Sequence, residues 1–77
     1  MTGKILIIED ETRLRTMLQR VLQSEGHTVL TAADGEEGIR CLEQESFDLV
    51  ITDIMMGAVS GFDVMNHIST HTPETLV

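Results

Sequence analysis

An α/β fold with a doubly wound parallel sheet is predicted by three observations. Two short segments, Lys4–Ile8 and Asp48–Thr52, carry uninterrupted apolar runs, Ile5-Leu6-Ile7-Ile8 and Leu49-Val50-Ile51. Such runs mark strands covered on both faces. Between them a helical and an alternating periodicity follow in turn, so the chain reads strand, helix, strand, helix, strand. Short connections in that order call for right-handed crossovers and a parallel sheet. With the first strand between the other two, helices leave on opposite faces, and a crevice opens at the strands' carboxyl ends.

Each element has its own signal. After the first strand, Leu14, Met17, Leu18, Val21 and Leu22 recur at helical spacing, with Arg13, Arg15, Gln19 and Arg20 on the other side, and Gly26 after Glu25 is a stop. Thr28–Ala32 alternates in polarity and carries β-branched residues, which suits an edge strand. Asp34 and Glu37 have the spacing of a capping box, and Ile39 and Leu42 give the second helix an inward stripe. Gly38 costs that helix about 1 kcal/mol relative to Ala, which predicts the looser of the two helices. Ile54–Ser60 contains Gly57, lacks periodicity and reads as a loop. Ser60 with Asp63 again has capping spacing, and Phe62, Met65 and Ile68 predict a third helix that Pro73 ends. Thr75-Leu76-Val77 reads as the opening of a fourth strand, so residues 1–77 are expected to be one domain that is incomplete at its C-terminus.

Composition narrows the function. A chain of 77 residues buries only about 60% of its unfolded surface, a marginal core. Thirteen Asp and Glu against five Lys and Arg give a formal net charge of −8, which disfavours direct attraction to nucleic acid or anionic lipid. A DNA-binding role would need another domain. Cys41 has no second cysteine to pair with and is expected to be a packing residue in a reducing compartment. No stretch approaches the ~20 apolar residues of a membrane span, and the apolar run before Glu9 is too short for a signal peptide. A cytoplasmic location is expected.

The acids carry the chemistry. Glu9 and Asp10 follow the first strand and Asp53 follows the third, so the predicted topology brings three carboxylates to one crevice. At ~4 Å and an effective dielectric of ~20, each like-charged pair costs about 4 kcal/mol. A divalent cation relieves that repulsion. Magnesium, which takes hard oxygens and favours one or two carboxylates plus a phosphate, suits a small open acidic cluster. An aspartate beside such a cation is a place to receive a phosphoryl group.

Taken together, Lys4-Ile5-Leu6-Ile7-Ile8-Glu9-Asp10-Glu11, Asp34-Gly35-Glu36-Glu37, Asp48-Leu49-Val50-Ile51-Thr52-Asp53-Ile54-Met55-Met56 and Gly61 resemble the receiver domain of two-component response regulators. The likeness covers nearly the whole chain. It implies a flavodoxin-like sheet, of which the chain holds three strand–helix units and the start of a fourth strand. It also implies that Asp53 accepts phosphate from a histidine kinase, and that Glu9, Asp10, Asp53 and the Met55 backbone carbonyl hold Mg2+. The resulting switch hydrolyses its own aspartyl phosphate slowly, is not a conventional enzyme, and acts on an output domain or partner. The chain departs from the pattern at Gly57, where proline is usual, and at Ser60, where aspartate is common. The family's phosphate-contacting Ser or Thr and Lys, on its fourth and fifth strands, have no counterpart here. Lys4, roughly 16–20 Å from Asp10 along its strand, cannot substitute.

Two other readings compete. A module that keeps the scaffold without phosphorylation would bind or assemble, for example as a homodimer through the exposed edge of the third strand. An enzyme of another class would need either two aspartates separated by one residue after the first strand or a glycine-rich turn there. Glu9-Asp10-Glu11-Thr12 supplies neither. His27, His67 and His71 read as solvated surface residues, and Met55 and Met56 as loop packing.

Overall fold

Four consecutive aliphatic residues after Lys4 form the central strand because both of its faces are covered. The computed structural model describes residues 2–52 and 61–71, apart from the side chains at 61, 62, 70 and 71. In it β1 (Lys4–Ile8), α1 (Thr12–Ser24), β2 (Thr28–Ala32), α2 (Gly35–Gln44), β3 (Leu49–Thr52) and α3 (Gly61–His71) follow in order. The strands lie in the order β2-β1-β3, and both pairings are parallel. Leu6, Ile7 and Ile8 are wholly buried. The predicted loop Ile54–Ser60, the Ser60 cap, Pro73 and the expected fourth strand lie outside the described residues.

Alternation along the strands divides the core. Leu6 and Ile8 join Ala32, Leu42, Phe47, Val50, Val64 and Ile68 on one side, with Leu30, Ile39 and Cys41 against them. Ile5, Ile7 and Val29 face the other side, covered by Leu18 and Leu22 and flanked by Leu49 and Ile51. One face thus carries α2 and α3 and the other α1, as a doubly wound sheet requires. No helix among the described residues is long and apolar enough to cross a membrane.

Three sequence expectations need correcting. The apolar stripe of α1 was drawn too wide, since Met17 and Val21 are each 53% exposed and only Leu18 and Leu22 reach the core. Among the described residues α1 is the only helix on its face, so its flanks stay wet. In α3 Val64 is fully buried beside Ile68, whereas Met65 is only half-buried, so among the described side chains the inward stripe runs through Val64 and Ile68.

The third correction concerns Gly38, which does not mark a loose helix. It is buried along with Gly35 and Leu42, whereas α1 has no fully buried residue. A Cβ on Gly38 would lie 2.3 Å from Ile8 Cδ1 and 2.8 Å from its Cγ1. The glycine lets α2 rest directly on the central strand, and this contact outweighs the lost propensity. Gly38→Ala is therefore expected to lower the thermal midpoint, because overpacking of ~1–3 kcal/mol exceeds the ~1 kcal/mol of helix propensity gained. Adding Ile8→Val, which removes the nearest atom, should restore part of the loss. A single variant that melts higher than the parent would refute this account.

The helix ends are built as their sequences suggest. Asp34 Oδ1 accepts from the Glu37 N–H at 2.8 Å, and the Glu37 carboxylate reaches back to the Ala33 N–H at 3.1 Å. This is a capping box displaced by one residue on its return bond. At the end of α1, Gly26 has φ of 92°, with Gly26 N–H donating to the Gln23 carbonyl and His27 N–H to that of Leu22. That pair of bonds is a Schellman motif, and the left-handed position suits glycine.

Candidate functional site

The carboxyl end of β1 passes directly into the acidic pair. Glu9 N–H donates to the Ala32 carbonyl at 3.1 Å, so the β1–β2 ladder continues one residue past Ile8. Glu9 is only 8% exposed, and its Oε1 accepts from the Glu11 N–H at 3.2 Å. Asp10 and Glu11 are exposed. α1 begins at Thr12 with Glu11 as N-cap, and no side chain caps it. Its positive end thus lies in the same turn as the acids, a favourable placement for negative charge.

The other half of the predicted cluster enters through β3. Ile8, which precedes Glu9, is the register partner of Thr52, which precedes Asp53 in sequence. Asp53 and Met55 themselves lie outside the described residues. Among the described residues no group of three or more His, Cys, Asp or Glu is arranged to hold a metal ion. The side chains described at this end, the Glu9 and Asp10 carboxylates, present hard oxygens with no thiolate or imidazole among them. That chemistry fits magnesium rather than zinc or copper.

Arg15 was expected on the solvent face of α1 and is instead turned toward the site. Its Nη1 donates to the Glu9 backbone carbonyl at 2.7 Å, and its Nη2 lies 3.5 Å from Thr12 Oγ1. Helical side chains lean toward the N-terminus, so an arginine in the first turn of a helix can reach back to the end of the preceding strand. That directional rule was the available signal.

The opposite end of the sheet is tied by polar contacts. His27 Nδ1 accepts from the Gly3 N–H at 3.1 Å, so this histidine is a half-buried structural acceptor, not a solvated residue. Asp48 Oδ2 accepts from the Lys4 N–H at 2.8 Å, and the Asp48 N–H donates to the Lys4 carbonyl at 2.8 Å. Lys4 Nζ pairs with Glu45 and sits 5.4 Å from the centre of the Phe47 ring. Lys4 is thus committed at the end away from the acids. Cys41 packs against the larger core cluster, and burial, followed by the nearby Glu37 and Glu45 charges, pushes its thiol pKa up. It stays a protonated packing residue. His67 is half-buried on α3, and the side chain of His71 is not described.

Comparison with known proteins now bears on this geometry. A family model described as response regulator receiver domain matches residues 5–77. The transcriptional regulatory protein AfsQ1 of Streptomyces coelicolor is 41% identical over 64 residues, which are 83% of this chain and 28% of that protein. The alkaline phosphatase synthesis transcriptional regulatory protein PhoP of Bacillus subtilis is also 41% identical over 64 residues, 83% of this chain and 27% of its own length. The chain therefore spans little more than a quarter of these relatives. Among solved structures, a receiver domain protein from Clostridium thermocellum superimposes with a TM-score of 0.89 at 37% identity, covering 95% of this chain and 60% of that one. The response regulator TrrA of Thermotoga maritima, solved in complex with Mg(2+)-BeF, gives 0.88 at 36% identity, covering 94% and 63%. By sequence and by fold, the chain belongs to the response regulator receiver domain family.

Proposed function

We propose that the chain is the phosphoacceptor part of a signalling switch, with Asp53 receiving a phosphoryl group from a histidine kinase in the presence of Mg2+. The single observation that carries this reading is the carboxyl end of β1, where a nearly buried Glu9 and an exposed Asp10 stand level with the end of β3. Glu9, Asp10, Asp53 and the Met55 carbonyl would hold the cation. Bound there, magnesium would neutralise the acids and the charge developing on the transferred group. An Asp53 carboxylate oxygen would form the new bond to phosphorus as the donor's phosphorus–nitrogen bond breaks and the imidazole leaves with its proton. The acyl phosphate dianion adds charge that neighbouring elements must accommodate, which is the means of switching.

The partners in this reading are a sensor kinase and an output domain or regulator, and the site of action is the cytoplasm. The exposed Met17 and Val21 on α1 offer an apolar face for a protein partner. The named relatives are transcriptional regulators, and a DNA-directed output would reside outside these 77 residues. The test is incubation with a small phosphodonor with and without Mg2+, followed by intact mass. One phosphoryl group, gained only with Mg2+, stable in acid and lost in base, is expected. No adduct, or one independent of the metal, would refute the proposal.

A second reading has one specific observation behind it. Among the described residues β3 pairs with β1 alone, leaving its other edge for another strand. On this reading the chain is an assembly module that forms a homodimer through β3. Sizing across a range of concentrations should then reveal dimer, and a monomer throughout would dismiss it.

A further inference from the structure

We infer that Arg15 is a positioning residue for the acidic site, holding the Glu9–Asp10 peptide in the orientation that receives a divalent cation. The inference rests on the proposed reading in which Glu9 and Asp10 are metal donors. The N–H of Glu9 donates to the Ala32 carbonyl, its carbonyl accepts from Arg15 Nη1 at 2.7 Å, and its carboxylate accepts from the Glu11 N–H. The first of these belongs to the sheet and the third to the turn entering α1. The Arg15 contact ties the Glu9–Asp10 peptide plane to the body of the helix. That plane carries the backbone nitrogen of Asp10, so its tilt sets where the exposed Asp10 carboxylate is aimed.

The contact is also suited to the task. A charged donor makes a shorter and stronger hydrogen bond to a carbonyl than a neutral one does. The guanidinium donates to a backbone oxygen, which fixes the peptide itself. Ordering the donors in advance lowers the cost of binding, as supporting contacts around metal ligands generally do.

The sign of the effect separates this role from simple electrostatics. Arg15 is a cation beside a cation site, so through-space repulsion alone predicts that removing it strengthens Mg2+ binding. Positioning predicts the reverse. Titration of the 77-residue chain with Mg2+ alone, followed by amide chemical shifts, gives the affinity without any phosphodonor. Arg15→Ala is expected to weaken binding roughly 10- to 100-fold, the range for loss of a ligand-supporting contact. Arg15→Lys, which keeps the charge and one donor, should fall between that variant and the parent.

Arg13→Ala removes an equal charge from an exposed position on the same helix and should leave affinity unchanged or slightly higher. Phosphoryl uptake by Arg15→Ala should recover as Mg2+ is raised, because the donors remain present. Unchanged or tighter binding in Arg15→Ala, or equal weakening in Arg13→Ala, would overturn the inference and leave the proposed function standing. A parent chain that shows no Mg2+-dependent shifts would overturn both. Thermal unfolding of each variant shows that it is folded, and if Arg15→Ala does not fold, an affinity for Arg15→Lys equal to the parent's overturns the inference.

Discussion

Replacing Asp53 with asparagine is expected to abolish phosphoryl uptake completely while leaving the chain folded. The amide has nearly the shape of the carboxylate but lacks the anionic oxygen that must attack phosphorus. Intact mass after incubation with phosphodonor and Mg2+ should show no adduct in the variant under conditions that modify the parent. A second readout makes the result specific. If three carboxylates share the crevice, each pair costs about 4 kcal/mol at ~4 Å and an effective dielectric of ~20. Removing one of them should raise the metal-free melting temperature and reduce the stabilisation gained from Mg2+. A variant that melts lower than the parent and gains as much from Mg2+ would place Asp53 outside the acidic cluster. An adduct that persists in the variant would move the acceptor elsewhere.

Phe47→Ala should be the most damaging single change to the fold. Phe47 lies between α2 and β3, is only 4% exposed, and joins Leu42, Val50, Val64 and Ile68 in the larger core cluster. Truncating a buried phenylalanine costs about 3–5 kcal/mol, the lost transfer energy plus the cavity left behind. At ~0.05–0.15 kcal/mol per residue a chain of 77 residues has only about 4–12 kcal/mol in all. The variant is therefore expected to be largely unfolded near physiological temperature and to show a much lower urea midpoint. Phe47→Leu, which keeps most of the volume, should cost less than ~1.5 kcal/mol. The exposed Lys4–Glu45 pair nearby contributes little, as surface ion pairs do. A urea midpoint for Phe47→Ala close to that of Phe47→Leu would show that the ring does not anchor this cluster.

The strands were legible because their signals are dense. Ile5 to Ile8 form a doubly covered strand, Leu49 to Ile51 a strand with Val50 buried and its neighbours partly buried, and Thr28–Ala32 lies at an edge of the sheet among the described residues. The Asp34 cap and the Gly26 stop were equally plain, since each rests on contacts within a few residues. What depends on distant neighbours was not legible. Propensity puts a cost on Gly38, but only the close approach of Ile8 explains its presence. Spacing collects Met17 and Val21 with Leu18 and Leu22, yet which of them is buried depends on what lies beside α1. Arg15 and His27 were assigned to solvent because charge and polarity say nothing about which backbone group lies within reach. At the candidate site, sequence singled out the acids at the end of β1, and the fold sets that end level with the end of β3.

The ties around Gly3, Lys4, His27 and Asp48 give the sheet a lashed base, while its other rim ends in charged residues. Gly3 and Lys4 before and in the central strand are bonded to His27 and Thr28 on one side and to Asp48 on the other, so the amino ends of all three strands are fastened together at the margin opposite the acids.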